Sequence, residues 1–351
     1  MLKALLMFAV FLAQVQLGFA QNDSAESQSA ASMKAVRQYG NGGPEVLKYE
    51  DAPKPSAKAG EVLVAVHAAA VNPVDWKLRE GRRGGSASGA AAEPMIPGFD
   101  VAGVIESVGE GVTMFKAGED VFAMTSLRFG AGGGAIGGAY AEYVAVDERQ
   151  LAKKPGNIDF EHAAAVPLAA LTAWQALFDT AKLSEGQTVL IHAGAGGVGH
   201  FAVQMAKARG AKVIATASSP ENLEFLRQIG ADVVINYKHQ KFEDIARDVD
   251  VVLDTIAGET QERSFACLKE GGFLVSILQQ PSAERLKEHK INGAVILVKP
   301  NGAQLGEIAA LIESGKIKPE VSAVFPLSDA AKAQELSKAG HVRGKVVLKV
   351  R

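Results

Sequence analysis

Beyond residue 32 the apolar positions follow two regimes. As far as Pro155 they form short runs broken by Gly and Pro: Glu61-Val62-Leu63-Val64-Ala65-Val66, a run ending at Val104-Ile105, Val121-Phe122-Ala123 and Tyr143-Val144-Ala145-Val146. Short runs rich in β-branched residues, closely spaced and without helical periodicity, predict strands of a small barrel-like β domain. The glycine-rich stretches from Gly81 to Ala92 and from Gly130 to Gly138 lack the apolar spacing needed to pack. They read as loops, either surface slack or the rim of an active site.

After Pro155 the spacing turns helical, and Ala163 to Leu177 predicts one long apolar helix. Strands and helices then alternate. Thr188 to His192 is a strand, Val198 to Arg209 a helix stopped by Gly210, and Lys212 to Ala217 a strand. Ser219-Pro220-Glu221 opens a helix with a capping hydroxyl, a first-turn proline and an acid suited to the helix dipole. Val233 to Asn236, Val251 to Leu253 and Phe273 to Ile277 supply further buried strands. Alternating β and α units predict a parallel sheet covered on both faces. Val346 to Val350 is a last strand, placed to rejoin the first domain.

Residues 1–20 differ from both regimes. Lys3 precedes an apolar run from Ala4 to Ala13, and Gly18-Phe19-Ala20 leads into a polar stretch. This is the form of an export signal cut after Ala20, with an uncleaved anchor or a misplaced start as alternatives. The run is short for a membrane span and is broken by Gln14 and Gln16, so no stable membrane insertion is expected after cleavage. Residues 21–32, rich in Ser, Ala, Gln and Asn, read as a disordered linker.

Composition narrows the chemistry. With 22% charged residues and a net charge of -2, there is no surplus of Lys and Arg for nucleic acid phosphates. The sole cysteine, Cys267, permits neither an internal disulfide nor a cysteine-rich metal site.

The strongest local signal is Gly194-Ala195-Gly196-Gly197-Val198-Gly199, a G-x-G-x-x-G run between a predicted strand and a predicted helix. Without side chains the backbone can approach a pyrophosphate, and the following helix aims free N–H groups at it. An NAD binder places an acid at the end of the second strand to hold the ribose hydroxyls. Here that place reads Ala217-Ser218-Ser219, and Glu221 is explained as a dipole partner, so charge favours NADPH.

The chain from Met33 to Arg351 resembles the zinc-independent quinone oxidoreductase and enone reductase branch of the medium-chain dehydrogenase/reductase superfamily. The likeness is carried by Ala70-Val71-Asn72-Pro73-Val74-Asp75-Trp76-Lys77, Pro97-Gly98-Phe99-Asp100-Val101-Ala102-Gly103, Ala169-Ala170-Leu171-Thr172-Ala173-Trp174, the glycine turn, Asp254-Thr255-Ile256-Ala257-Gly258 and Gly340-His341-Val342-Arg343-Gly344-Lys345. The resemblance implies a Rossmann doubly wound parallel sheet inserted in a GroES-like β-barrel catalytic domain. The catalytic domain would comprise 33–157 with a return at 300–351, and the NADP-binding domain 158–299. The site would lie in the cleft between them, in a homodimer.

Zinc-dependent relatives hold their metal with a cysteine in the first motif and a histidine-glutamate pair in the second. The corresponding places here look like Asn72, Phe99 and Asp100, a poor donor set for zinc. None of the seven histidines forms a close ligand pair, so no metal is expected. The expected activity is hydride transfer from NADPH to a small-molecule quinone or α,β-unsaturated carbonyl. Alkenal or enone reduction alone, and a non-catalytic NADPH-binding sensor or structural protein, are the rival readings.

By resemblance, Asn72 and Asp75 line the nicotinamide end with Trp76 as an apolar wall, or else they cap a turn and pack the core. Lys77 would bind cofactor phosphate or ribose, steady an enolate-like oxyanion, or simply be solvated. Thr172 would bond the carboxamide or satisfy itself on its own helix. Ser218, Ser219, Asn222 and Tyr237 are carried over as the 2′-phosphate end, with ordinary core as the other reading of Tyr237. Thr255 and Ile256 would flank the nicotinamide, and Arg343 and Lys345 would reach phosphate or stand in solvent.

Overall fold

Each apolar regime builds its own sheet. The computed structural model describes residues 31–82, 94–126, 128–129 and 135–351. The expected export segment 1–20 and nearly all of the linker lie outside the described residues, as do 83–92 and 130–134 of the glycine-rich stretches.

The first lobe contains β1 (Ser32–Gln38), β2 (Leu47–Pro53), β3 (Glu61–Val71), α1 (Pro73–Arg79), β4 (Asp100–Val108), β5 (Asp120–Met124), the hairpin β6 (Arg128–Phe129) and β7 (Ala135–Ile136), β8 (Tyr143–Asp147) and β9 (Leu151–Lys153). The second glycine-rich stretch, expected to be all loop, thus contains a short strand. β1 and β2 pair antiparallel by themselves. β3 is the spine of a seven-stranded sheet, antiparallel to β4 along one edge and to β8 along the first half of the other. Its inward residues Val62, Val64 and Val66 are fully buried, as alternation of side chains across a strand requires.

The long helix expected over Ala163 to Leu177 is instead three pieces: α2 (Phe160–Ala164), α3 (Pro167–Trp174) and a π-helical segment, Gln175–Thr180. Pro167 is the reason for the first break. It has no amide hydrogen to give a preceding turn and fits only where a helix begins. α2 and α3 belong to one apolar core that includes Ala68 and Phe122 of the first sheet and Val189 and Leu253 of the second.

The second sheet is made of β10 (Thr188–Ile191), β11 (Lys212–Ala217), β12 (Val233–Asn236), β13 (Val249–Asp254), β14 (Leu268–Ser276) and β15 (Asn292–Val295), all parallel. Between them run α4 (Gly197–Ala208), α5 (Pro220–Gln228), α6 (Phe242–Ile245), α7 (Gly258–Ser264) and α8 (Ala283–His289). The spatial order β12-β11-β10-β13-β14-β15 reverses direction between β10 and β13. Ligands of doubly wound sheets bind at that reversal, beyond the carboxyl ends of the strands.

The chain then forms α9 (Gly302–Glu313), β16 (Val321–Pro326), α10 (Ala330–Lys338) and β17 (Lys345–Lys349). β17 returns to the first sheet, where it lies between β16 and the second half of β3, with Val346 opposite Val71. Ser32–Arg351 is one compact unit. Among the described residues no helix is long and apolar enough to cross a membrane.

Candidate active site

A cavity of about 320 Å³ opens where the glycine turn, the start of α1 and the carboxyl ends of β13, β14 and β15 converge. Gly196, Gly197, Val198 and Gly199 form one wall, Val71, Asn72, Val74 and Lys77 another, and Thr172, Thr255, Ser337 and Lys345 add to the polar lining.

The glycines divide into two tasks. A Cβ on Gly199 would lie 2.2 Å from the Ala193 carbonyl oxygen, so this glycine lets α4 pack against the turn. Gly194 is likewise crowded, by Ala215 and Leu226, and does not line the cavity. Gly196 and Gly197 meet nothing closer than 3.3 Å and present bare backbone at the head of α4. That face has the room and the N–H groups for a pyrophosphate. The turn is anchored by Thr216, whose hydroxyl accepts from the Ala193 amide at 3.1 Å. Ala193 itself has φ 48°, a left-handed conformation that costs energy for a residue with a Cβ.

His200 ties this turn to the returning chain. Its Nδ1 donates to the Gly196 carbonyl at 2.9 Å, and its Nε2 accepts from the Glu320 amide at 3.3 Å. That pattern requires the neutral ring, and burial pushes its pKa down to about 4. His192, also buried with its pKa lowered by burial to about 4, meets the Ser264 hydroxyl at 2.9 Å. Both histidines are structural.

Lys345 is the residue the sequence placed least well. It is neither solvated nor loose: its side chain is 3% exposed, and its Nζ is 3.2 Å from Asp100 Oδ2 and donates to Asn72 Oδ1. Asn72 Nδ2 donates to the same Asp100 oxygen at 2.9 Å, while Asp100 Oδ1 accepts from the Leu168 amide at 2.7 Å. The latter amide is free because Pro167 starts α3 there, leaving first-turn donors without helical acceptors. Burial raises the Asp100 pKa, and the Lys345 charge acts against that rise. Asn72 is therefore fully engaged, and it positions Lys345 at the cavity wall.

Asp75 does not line the cavity. Its Oδ2 accepts from the Asn72 amide at 2.8 Å, closing the first turn of α1, and from the Tyr140 hydroxyl at 2.7 Å. Expected as a nicotinamide contact, it is a buried capping residue, and burial drives its pKa up to about 7. Trp76, expected as an apolar wall, is also outside the lining, with Lys77 Nζ 5.4 Å from its ring centre. Lys77 does line the cavity. Thr172 lines it too, and its hydroxyl donates to the Leu168 carbonyl one turn back at 2.7 Å. Thr255 lines it with its hydroxyl donating to the His192 carbonyl at 2.8 Å, whereas Ile256 is 48% exposed and not part of the wall.

The carried-over 2′-phosphate group gathers at the end of β11. Ser219 Oγ accepts from the Asn222 amide at 3.2 Å, capping α5. Asn222 Oδ1 accepts from Arg343 Nε at 3.0 Å, and the guanidinium lies 5.2 Å from the Phe225 ring centre. Ser218 is half-buried beside them; Tyr237 is 50% exposed, so it is not core. Its amide donates to the Ala217 carbonyl at 3.1 Å, which keeps it at the same strand end. Glu221 is held low by helix-start donors and by Arg343.

Gly344 sits between the two cations. Its amide donates to the Ala195 carbonyl at 2.9 Å, its φ is +60°, and a Cβ there would strike the Glu320 carbonyl at 2.2 Å. Only glycine fits, and Arg343 and Lys345 are thereby sent to opposite ends of the turn. This arrangement was hidden from sequence reasoning, because Asn72 and Lys345 are 273 positions apart.

A zinc ion does not fit these residues. The places that would supply donors hold an amide engaged by Lys345, the phenyl ring of Phe99 and a carboxylate neutralised by an ammonium group.

Comparison with known proteins agrees with this architecture. Residues 58–156 match the alcohol dehydrogenase GroES-like domain, 178–262 the alanine dehydrogenase/PNT C-terminal domain, and 229–348 a zinc-binding dehydrogenase domain. The chain is 39% identical to an NADPH-dependent alkenal/one oxidoreductase of Arabidopsis thaliana, over 94% of its own length and 82% of the relative's. It is 35% identical to a quinone oxidoreductase of Rattus norvegicus, covering 86% and 93%. Its fold superposes on the quinone oxidoreductase of Coxiella burnetii with a TM-score of 0.82 at 36% identity, covering 92% and 100%. The chain belongs to the quinone oxidoreductase branch of the medium-chain dehydrogenase/reductase superfamily.

Proposed function

We propose that this protein is an NADPH-dependent oxidoreductase that reduces a quinone or an α,β-unsaturated carbonyl without zinc. The observation that carries the reading is the bare glycine turn at the sheet's reversal point, facing across one cavity two lysines, Lys77 and Lys345. The relatives named for alkenal/one and quinone reduction support the same substrate class.

Gly196, Gly197 and the head of α4 would hold the pyrophosphate, and Ser218, Ser219, Asn222 and Arg343 the 2′-phosphate. The absence of an acid at the end of β11 removes the repulsion that a 2′-phosphate would meet in an NAD site. When bound, NADPH supplies a hydride from its dihydronicotinamide ring. On an enone, hydride addition to the β-carbon would shift the C=C electron pair so that charge grows on oxygen, and a solvent proton would end on the α-carbon. The chain's task is to hold the acceptor and to favour the growing oxyanion. Lys77 stands at the wall, and Lys345, paired with Asp100 at 3.2 Å, stands at it too.

Steady-state NADPH oxidation on a panel of quinones and enones, with and without a zinc chelator, tests this. Turnover unaffected by chelation is expected. Saturable NADPH binding without turnover on any acceptor would overturn the catalytic reading in favour of a sensor, and loss of activity on chelation would overturn the zinc-free one. The N-terminal form supports export with cleavage after Ala20, for which sequencing of the mature N-terminus is the test. Sedimentation analysis tests the expected dimer.

A further inference from the structure

The inner face of α1 carries two ionisable residues one turn apart, Asp75 and Arg79, and both are buried. The Asp75 carboxylate turns to Tyr140, whereas Arg79 reaches across to α10. The Arg79 side chain is 0% exposed, with Nη1 donating to Gln334 Oε1 at 3.0 Å and Nη2 to Glu335 Oε1 at 2.6 Å. Further along α10, Lys338 Nζ lies 2.5 Å from Glu80 Oε1, at the end of α1. The two helix ends are thus bolted together, and the bolt at the centre of the seam is a buried guanidinium.

Stability alone accounts poorly for a cation in that place. Apolar side chains of similar volume often replace a buried ion pair at no loss, because the pair must first give up its hydration. Arg79 does not recover all of it: its Nε and the Nε2 of buried Gln334 have no hydrogen-bond partner among the described residues. What a guanidinium fork supplies is direction. Its N–H groups fix distance and angle together, where an apolar contact can slide.

The seam so fixed carries two groups of the cavity wall, one on each helix. Lys77 lies two residues before Arg79, about half a turn round α1 from the buried face, and lines the cavity. Ser337 lies three residues after Gln334, on the same side of α10, and lines it as well. Arg79 is not part of the lining. Resting on the hydride-transfer reading above, we propose that Arg79 is a positioning residue for that reaction. It holds the last turn of α1 against α10, so that the Lys77 amino group stands where the acceptor oxygen arrives. The capping of α1 by Asn72 and Asp75 fixes the other end of the same seven-residue helix.

The test is kcat and KM of the full chain on a quinone or enone that it turns over, in a cycle of Arg79→Met, Lys77→Met and the double variant. Misplacement of a reacting group by about 1 Å can cost a hundredfold. With the capped end of α1 still in place, Arg79→Met should lower kcat about tenfold. Rates are referred to the concentration of NADPH-binding sites, so a loss of folded protein does not count as a loss of kcat. Arg79→Lys, which keeps a cation for Glu335 but not the fork, should recover part of the rate. In the Lys77→Met background the Arg79→Met effect should disappear. Should Arg79→Met fail to fold, Arg79→Lys takes its place in the cycle, with an expected loss of about threefold. Lys332→Ala, on the exposed side of α10, is the control and should leave kcat unchanged. An unaltered kcat per binding site in the folded Arg79 variant overturns the proposal, as does an equal loss with and without Lys77, the mark of a merely structural arginine. Both results leave hydride transfer standing. Failure of the unaltered protein to turn over any quinone or enone removes the parent reading, and this one with it.

Discussion

Replacing Lys345 with methionine isolates the charge that Asp100 depends on. The side chains are 3% and 0% exposed and 3.2 Å apart. At an effective dielectric constant near 20, that separation corresponds to an attraction of about 5 kcal/mol. Methionine keeps the volume and removes the ammonium, leaving Asp100 with the Asn72 amide group and the Leu168 amide as donors. Breaking a buried pair from one side costs about 3–5 kcal/mol, and two surviving donors place the expected loss at about 3 kcal/mol at pH 8. Urea unfolding would measure it. Burial already raises the Asp100 pKa, and loss of the neighbouring cation raises it further. A group whose folded pKa is raised stabilises the fold at low pH and loses that contribution as pH increases. The deficit of Lys345→Met should therefore shrink as pH falls from 8 to 5. In the double variant Lys345→Met/Asp100→Asn the buried charge is gone, and the Asn72 side chain is free to turn its oxygen towards the amide introduced opposite it. Its loss should be smaller than that of the single variant by about 2 kcal/mol. A single-variant loss under about 1 kcal/mol, or one that does not vary with pH, would refute the assignment of Lys345 as the counter-charge.

Further outcomes follow from geometry already described. Gly199→Ala forces a methyl group onto backbone atoms that cannot move, so it should lose about 2–3 kcal/mol in urea unfolding. Gly197→Ala meets only Lys345 Cδ at 3.3 Å and Gly344 O at 3.5 Å, so it should fold normally yet bind NADPH at least about tenfold more weakly in a fluorescence titration. Asp75, with its pKa moved from 3.8 to about 7, should make the protein lose stability as pH rises from about 4 to 7, by up to about 4 kcal/mol, and Asp75→Asn should flatten that profile in thermal scans. Arg343→Ala should lower the preference for NADPH over NADH by about 10–100-fold, through kcat/KM for NADPH and not for NADH, as expected for a charge-assisted phosphate contact.

The parts of this molecule legible in the sequence are those encoded locally. Gly194 to Gly199 could be read because a strand, a bare turn and a helix are consecutive, and the second sheet because its strands and helices alternate within one stretch of chain. The break at Pro167 was also written in the chain but was outweighed by apolar periodicity on either side of it. Lys345 was illegible for a different reason. A lysine after a glycine near a terminal strand has the composition of a solvated residue, and only the pairing of β17 with β3 brings it to Asp100, 245 positions away. Asp75 illustrates the converse error. Its place in a motif suggested contact with a ligand, but the capping geometry of α1 turns its carboxylate towards Tyr140 and away from the cavity.

The interior place of β17 has a consequence for how the chain is made. A ribosome delivers β3 long before β17, and until β17 emerges the stretch Ala68–Val71 has no partner on that edge. The parallel sheet, whose strands are contiguous in sequence, can close while the first lobe is still missing a stave. Nascent protein therefore carries a naked apolar ribbon through most of translation, and its demand on holding chaperones should end only when residues 345–349 clear the exit tunnel.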